Sequence, residues 1–172
     1  MTLCVGIERR GKVWIGADRA SVSEDWTERA EEPKVWRSGR WLIASAGSWR
    51  ALSIARLTAR LPEPVDEFSI AIGVTTELQR ALAAGNYEPE EDEDDRPRWL
   101  VASAKLGLWR IDNCWHAAKV HEAAIGLSYY AHGWLDGSSL TDPELRIREC
   151  IKATARRFPA AVSSGSLILT SP

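Results

Sequence analysis

The stretch that decides the fold is residues 1–18, MTLCVGIERRGKVWIGAD. Apolar residues alternate with small or polar residues on both sides of Arg10-Gly11, which is the pattern of two β-strands joined by a tight turn. Such a hairpin returns the end of its second strand to the start of its first strand. The pattern therefore predicts that Asp18 lies close to Thr2.

Thr2 is the candidate nucleophile, because removal of Met1 gives it a free α-amine beside its hydroxyl. An α-amine is substantially unprotonated near neutral pH, whereas a lysine ammonium is almost fully protonated. An N-terminal threonine thus carries a nucleophile and a usable base on one residue. Many proteins begin with Met-Thr, so this signal predicts little when it stands alone.

Asp18 and Lys34 add to that signal. Asp18 lies 16 residues after Thr2, and Lys34 lies 16 residues after Asp18, at the start of a further predicted strand. Lys34 is thereby placed to pair with Asp18. A lysine cation near Thr2 disfavours protonation of the α-amine and stabilises an alkoxide. An ordinary ion pair without a catalytic role is the alternative interpretation.

The rest of the chain predicts further strands and helices without repeats or linkers. Residues 19–32 are polar and acidic and are predicted to form a loop. Strands are predicted at 34–37, 41–44, 99–103, 108–111, 115–120, 123–126 and 166–170, and helices at 51–61, 66–84, 129–135 and from 142 onward. The order predicts an α+β fold in one domain, residues 1–172, with two sheets packed together and helices on the outer faces.

Composition excludes several classes of protein. The chain has 172 residues, a formal net charge of −2, 45% hydrophobic and 27% charged residues, which argues against disorder and against a dedicated nucleic-acid binder. No apolar run approaches the roughly 18–20 residues of a membrane span, and no secretory signal is apparent. Three cysteines without metal-ligand spacing indicate a reduced, cytoplasmic protein.

The chain resembles the N-terminal-threonine hydrolases of the proteasome β-subunit and HslV type, in particular the short HslV-like proteins of bacteria and phages. The opening motif MT-x-CVGIE-x-x-GKV-x-IGAD carries this likeness together with PKVW at 33–36 and WLIASAGS at 41–48. The segments AAIGLSYYAHGWLDG at 123–137, DPELRIRECIKATARRF at 142–158 and SSGSLILT at 163–170 extend the likeness over essentially the whole chain.

The resemblance implies a four-layer αββα sandwich, the N-terminal nucleophile hydrolase fold, assembled into rings with the active sites facing an inner chamber. It places Thr2 on the nucleophile, Asp18 on the carboxylate and Lys34 on the lysine of the family. The oxyanion donor of the family is a backbone N–H after the strand that ends in WLIA. Here that donor falls on Ser45, or on Gly47 if the alignment slips.

Two positions depart from the family pattern. The family usually has a serine directly after the glycine of its later turn, where this chain has Leu127. Ser128 takes that role only if the turn shifts by one residue. Proteasome subunits also carry an aspartate before their last turn, and here Ala161 stands at that position.

The first hypothesis is therefore a threonine endopeptidase that acts on peptides or unfolded proteins inside a homo-oligomeric ring, without a cofactor. We expect a separate AAA+ unfoldase for folded substrates, since nothing in the sequence resembles a nucleotide-binding loop. A non-catalytic scaffold or assembly subunit of the same fold is the second hypothesis, motivated by Leu127 and Ala161. An N-terminal nucleophile amidase acting on a small amide is the third.

Other reactive or unusual residues have simpler interpretations. The three histidines lack zinc-ligand spacing, and Cys4 on an alternating strand reads as a small core residue. The nine tryptophans are read as core or subunit-interface residues, with one or two facing substrate. Residues 88–95 hold seven acids in eight positions, which indicates a solvated loop or a docking site for a basic partner.

Overall fold

A computed structural model describes residues 2–22, 27–29, 33–89 and 96–171, and for 20–22 and 27–29 it describes the backbone alone. The strands are β1 Leu3–Arg9, β2 Lys12–Asp18, β3 Ala20–Val22, β4 Thr27–Arg29, β5 Val35–Ser38, β6 Trp41–Ala46, β7 Arg98–Ser103, β8 Gly107–Ile111, β9 Ala117–Val120, β10 Glu122–Gly126 and β11 Ser166–Thr170. The α-helices are α1 Trp49–Thr58, α2 Thr75–Ala84, α3 Ser128–Gly137 and α4 Pro143–Arg157.

The strands form two main antiparallel sheets. One has four strands in the order β10-β1-β2-β11, and the other has five in the order β5-β6-β7-β8-β9. The register of the opening hairpin pairs Cys4 with Ala17, so β2 ends opposite the start of β1. This confirms the hairpin that the first 18 residues predict.

Three layers of buried side chains show that the molecule is a four-layer αββα sandwich. The first layer lies between the five-stranded sheet and the helices α1 and α2. The second lies between the two sheets, where short side chains such as Ala17, Ala44 and Ala102 allow close packing. The third lies between the four-stranded sheet and the helices α3 and α4. The predicted α+β class and sandwich architecture are therefore confirmed.

Tryptophans fill much of the first layer. Trp41 and Trp99 are almost completely buried there, and Trp36 packs edge-on against Trp99 with ring centroids 6.5 Å apart. Such T-shaped contacts add to the energy of apolar burial. The interpretation of tryptophans as core residues is confirmed at these positions.

The prediction of one loop over residues 19–32 is wrong for part of that segment. Strands β3 and β4 pair there in a short antiparallel ribbon, with Ser21 opposite Glu28. Backbone pairing between polar strands leaves no apolar alternation in the sequence, so periodicity gave no sign of it. Residues 23–26 and 30–32, like 90–95 of the acidic run, lie outside the described residues.

The helix predicted over 66–84 is confirmed over 67–84, and it contains a π-helical segment. Residues Ser69–Val74 form a π-helix, and α2 begins only at Thr75. Gly73 and the β-branched residues Val74, Thr75 and Thr76 stand at the junction, and all are poor helix formers. In contrast, α4 begins as predicted, because Asp142 accepts a hydrogen bond from the Leu145 N–H at 2.8 Å.

None of the helices in the described part of the chain is long and apolar enough to cross a membrane.

Close packing of α4 on the four-stranded sheet gives the first prediction. A Cβ added at Gly16 would lie 2.5 Å from Cγ2 of Ile147 and 3.0 Å from Cγ1 of Ile168. We expect Gly16→Ala to lower the unfolding free energy by about 1–3 kcal/mol, as overpacking does. The measurement is urea denaturation followed by circular dichroism.

Gly133→Ala is the matched control for this prediction. Gly133 lies inside α3, and an added Cβ there meets no atom within 4 Å. Its replacement should raise stability by up to about 1 kcal/mol through helix propensity. Equal effects of the two substitutions would contradict the close packing at Gly16.

Candidate active site

The backbone around Thr2 is held by the turn that follows β10. The Thr2 carbonyl accepts a hydrogen bond from the Leu127 N–H at 3.0 Å, and Leu3 pairs with Gly126. Gly126 has φ +88°, and a Cβ at this position would lie 1.8 Å from the Thr2 carbonyl oxygen. Only glycine permits this approach, so Gly126 fixes where the chain enters β1.

The carboxylate of Asp18 ties three segments together at that point. Its Oδ1 accepts hydrogen bonds from the Leu3 N–H and from Lys34 Nζ, both at 2.9 Å. Its Oδ2 accepts a hydrogen bond from the Ser163 N–H at 3.4 Å. Asp18 therefore joins the residue directly after Thr2 to the start of β5, in the arrangement that the 16-residue spacings suggest.

Both members of the Lys34–Asp18 ion pair are buried. The side chains are 2% and 0% exposed, respectively. Taking each charge out of water costs on the order of several kcal/mol, so a buried pair is weak evidence for stability and an apolar pair often serves as well. The position of this pair beside Thr2 makes it a candidate for a chemical role.

Cys4 lies close to this pair but is a poor nucleophile. Its side chain is fully buried, and its Sγ donates to the Ser45 carbonyl at 3.3 Å. Burial raises the pKa of the Cys4 thiol far above its ordinary value, a shift that Lys34 opposes and Asp18 reinforces. The group thus stays a thiol at neutral pH, in keeping with the interpretation of Cys4 as a core residue.

Of the two expected oxyanion donors, the structure leaves Gly47 available and engages Ser45. The Ser45 N–H already donates to the Lys34 carbonyl at 3.1 Å, in continuation of the β5–β6 pairing. Gly47 follows the end of β6 with φ +106°, and no described residue accepts a hydrogen bond from its N–H. An amide used in a β-ladder is not free to bind an oxyanion, so of the two predicted donors the geometry favours Gly47.

No side-chain hydrogen bond among the described residues connects Ser128 to the site. It is the first residue of α3, is partly exposed, and forms no side-chain hydrogen bond within the described part of the chain. The neighbouring Leu127 packs its side chain against the core beneath α3 and α4 and offers its N–H to Thr2. The expected contact of a serine side chain from this turn is replaced by a backbone contact from Leu127.

Ser163 is a site residue that sequence reasoning did not single out. Its Oγ accepts a hydrogen bond from the Arg19 N–H at 2.9 Å, and its own N–H binds Asp18. Ser166 in β11 pairs with Asp18 across the sheet. The sequence marks a turn at Ser163-Ser164-Gly165, but the contact of Ser163 with Asp18 becomes apparent only from the pairing of β11 with β2. Ala161, nearby, is buried in the core below α4.

The histidines contribute nothing to this arrangement. His116 and His132 show no side-chain hydrogen bond among the described residues, and His121 Nδ1 lies 3.9 Å from Glu8 Oε2 near the opposite end of β1. Within the described ranges, no group of three His, Cys, Asp or Glu side chains is arranged to hold a metal ion.

Several solved structures share this fold. BPH from Thiobacillus denitrificans matches with a TM-score of 0.78 and 22% identity, over 98% of this chain and 97% of that chain. HslV from Trypanosoma brucei matches with a TM-score of 0.66 and 17% identity, over 99% of each chain. Anbu, an ancestral β-subunit from Yersinia bercovieri, matches with a TM-score of 0.71 and 16% identity, over 99% of this chain and 81% of that chain.

No family model matches the chain. No curated protein matches it. The structural likenesses establish that this chain has the fold of the HslV- and proteasome-type N-terminal nucleophile hydrolases.

The buried ion pair gives the second prediction. We expect Lys34→Met and Asp18→Asn each to lower the unfolding free energy by about 3–5 kcal/mol, because each leaves its partner buried without the matching charge. The double variant should lose clearly less than the sum of the two losses. A double-mutant cycle from urea denaturation measures this coupling.

The exposed pair of Arg148 and Glu144 on α4, with a 2.8 Å contact, is the control. The cycle of Arg148→Met and Glu144→Gln should give a coupling of no more than about 0.5 kcal/mol. Strictly additive losses at Lys34 and Asp18 would contradict the interdependence of the two buried charges.

Proposed function

We propose that this chain is a threonine-type endopeptidase subunit in which Thr2, once Met1 is removed, is the nucleophile. The observation that carries the proposal is the shared Oδ1 of Asp18, which binds both the Leu3 N–H and Lys34 Nζ at 2.9 Å. This arrangement holds a lysine cation beside the residue that would carry the new α-amine. The solved structures that resemble this chain are only 14–22% identical to it, so they support the fold alone. The proposed activity rests on the geometry around Thr2.

Attack begins at the Thr2 hydroxyl. Its Oγ forms a bond to the carbonyl carbon of the scissile peptide, and its proton passes to the Thr2 α-amine, directly or through a water. The Lys34 ammonium lowers the proton affinity of that amine and stabilises the charge that develops on Oγ. The carbonyl oxygen becomes an oxyanion, for which the Gly47 N–H is the proposed donor.

Collapse of the tetrahedral intermediate completes the first half-reaction. The C–N bond breaks, the leaving amine takes the proton held by the α-amine, and an ester remains on Thr2. A water then attacks the ester, gives its proton to the α-amine, and releases the carboxylic acid with regeneration of the Thr2 hydroxyl. Asp18 keeps Lys34 in place through the 2.9 Å contact between its Oδ1 and Lys34 Nζ.

Likeness to known proteins supports this assignment of substrate and assembly. BPH from Thiobacillus denitrificans, whose fold this chain shares at a TM-score of 0.78, was solved in complex with epoxomicin. Epoxomicin is a peptide epoxyketone, so it is suited to a site that recognises peptides. We extend this to peptides or unfolded proteins as substrates, to a homo-oligomeric ring in the cytoplasm, and to a separate AAA+ unfoldase as partner.

A non-catalytic member of the fold is the second candidate. It is favoured by one observation: Leu127 and Ala161 pack into the core, and Ser128 forms no side-chain hydrogen bond among the described residues. A site that has lost these polar side chains retains its fold while losing activity. The small-amide amidase differs from the peptidase in substrate and uses the same Thr2 chemistry.

Peptide hydrolysis by the matured chain tests the proposal. A cleavable N-terminal fusion exposes Thr2, and release of a fluorogenic peptide's leaving group gives kcat/KM. We expect Thr2→Ala to abolish turnover, Thr2→Ser to retain part of it, and Lys34→Met to lower kcat/KM by about a hundredfold or more.

The matched control carries one additional alanine before Thr2, which blocks the amine and leaves the hydroxyl in place. It should be inactive, whereas full activity of this blocked chain would refute the role of the amine. Hydrolysis of small amides without peptides would favour the amidase. A matured chain that folds but cleaves neither substrate would favour the scaffold.

A further inference from the structure

A surface cavity lies between the C-terminal half of α4 and the turn that precedes β11. Its volume is about 480 Å³. The polar part of its lining consists of Lys152 and Arg156 from α4 and of Ser163 and Ser164 from the turn, and the rest of its lining is apolar. We call this cavity, defined by those four residues, the α4 cavity. Among the residues that the structure describes, no carboxylate lines it, so it presents cations and hydroxyl groups.

The α4 cavity is joined to the candidate active site through Ser163. The Ser163 N–H donates to Asp18 Oδ2 at 3.4 Å, and the other oxygen of that carboxylate accepts hydrogen bonds from Lys34 and from the residue after Thr2. A single carboxylate therefore separates the wall of the cavity from the start of β1. One residue of an extended peptide spans about 3.3–3.6 Å, so a peptide with its scissile bond at Thr2 needs only a few residues to reach the cavity.

Positive charge exceeds negative charge around the α4 cavity. Arg156 is exposed and forms no ion pair with any described residue, whereas Lys152 Nζ lies 2.7 Å from Glu149 Oε1. The hydrogen bond from Lys152 and the nearby charge of Arg156 hold the pKa of the Glu149 carboxyl below its ordinary value. Arg19 brings a third cation to the turn, since its Cδ lies 3.6 Å from the position that a Cβ at Gly165 would take. The cations outnumber this carboxylate, so the cavity attracts anionic groups.

The hydroxyl groups of the turn distinguish the α4 cavity from an ordinary basic helix end. Cations are favoured in the last turn of any helix by the helix dipole, which accounts for Arg156 and Arg157 without a ligand. The dipole does not account for a cavity lined by serines beside them. Ser164 is exposed, and its hydroxyl forms no hydrogen bond with any described residue. An ionised carboxyl group accepts from cationic and hydroxyl donors alike, so this set of donors is suited to a carboxylate.

We propose that the α4 cavity binds an acidic side chain of the peptide substrate, with Arg156 and Lys152 as its ion partners. The inference rests on the proposed function, because the place of the cavity beside Thr2 identifies the occupant. In a ring whose active sites face an inner chamber, this end of the sandwich meets the peptide chains that enter the chamber. Arg156 and Lys152 then determine specificity from a position away from the reacting atoms.

Paired peptides test the proposal on the matured chain. In an otherwise neutral fluorogenic peptide, glutamate replaces glutamine at each position on both sides of the scissile bond in turn. We expect glutamate to raise kcat/KM by about tenfold or more at one of these positions. The gain should lie in KM, because an ion pair away from the reacting atoms forms equally in the bound substrate and in the transition state.

Variants of the two cations assign the preference to the α4 cavity. Arg156→Gln combined with Lys152→Gln should reduce hydrolysis of the glutamate peptide to the rate of its glutamine partner, whereas Arg156→Lys should retain most of the preference. Arg156→Glu should turn the preference toward a peptide with lysine at the same position, which loss of folding cannot do. The control, Arg148→Gln, removes an exposed cation of α4 outside the cavity and should keep the preference for glutamate.

Binding without hydrolysis separates the two proposals. Fluorescence anisotropy with the Thr2→Ala chain compares all members of the labelled peptide set at low and at high salt. One glutamate peptide should bind about tenfold more tightly than its glutamine partner. The difference should shrink in high salt, because salt screens exposed charges.

Equal hydrolysis of every glutamate and glutamine pair would overturn the acidic subsite and leave the peptidase function intact. So would a preference that survives the loss of both Arg156 and Lys152. Absence of all hydrolysis by the matured chain would count against the proposed function, and the anisotropy then decides on the subsite. Equal binding of all peptides would overturn it, whereas tighter binding of a glutamate peptide that depends on Arg156 would support it.

Discussion

The buried hydrogen-bonded ion pair between Lys34 and Asp18 is the constraint on which the end of the molecule containing Thr2 depends. One carboxylate oxygen binds both Lys34 and the amide of Leu3, and the other oxygen binds the amide of Ser163. The pair therefore connects the start of β1, the end of β2, the start of β5 and the turn before β11. Burial of two charges costs free energy, and the position of this pair next to Thr2 is the basis of the proposed chemistry there.

Backbone groups, more than side chains, complete this arrangement. Gly126 allows the turn after β10 to approach the Thr2 carbonyl, and the amide of Leu127 binds it. The amide of Gly47, which follows β6 in left-handed conformation at the same end of the sandwich, donates to no described residue. The turn after β10 therefore keeps its backbone contact with Thr2 although leucine stands at 127, where the family resemblance implies serine.

The sequence predicts much of this fold for physical reasons that particular elements illustrate. Alternation and a turn signal define β1 and β2, and a Pro-preceding Asp defines the start of α4. The ribbon of β3 and β4 was not predicted because its sequence shows no apolar alternation. The π-helix at Ser69–Val74 was not predicted because it has no distinct sequence period. At the site, the spacings of Thr2, Asp18 and Lys34 predict the ion pair. The contact of Ser163 with Asp18 could not be predicted, because it depends on the pairing of two strands that are distant in sequence. The hydrogen bond from the Ser45 N–H to the Lys34 carbonyl likewise becomes visible only in the structure.

Intact-mass spectrometry after incubation with a peptide epoxyketone tests the central claim most directly, because the stable double adduct requires both the hydroxyl and the free amine of an N-terminal threonine. We expect a species without Met1 that gains one inhibitor per chain, and no adduct with Thr2→Ala. A chain that retains Met1, or one that loses Met1 and still gains no inhibitor, would contradict Thr2 as an active nucleophile.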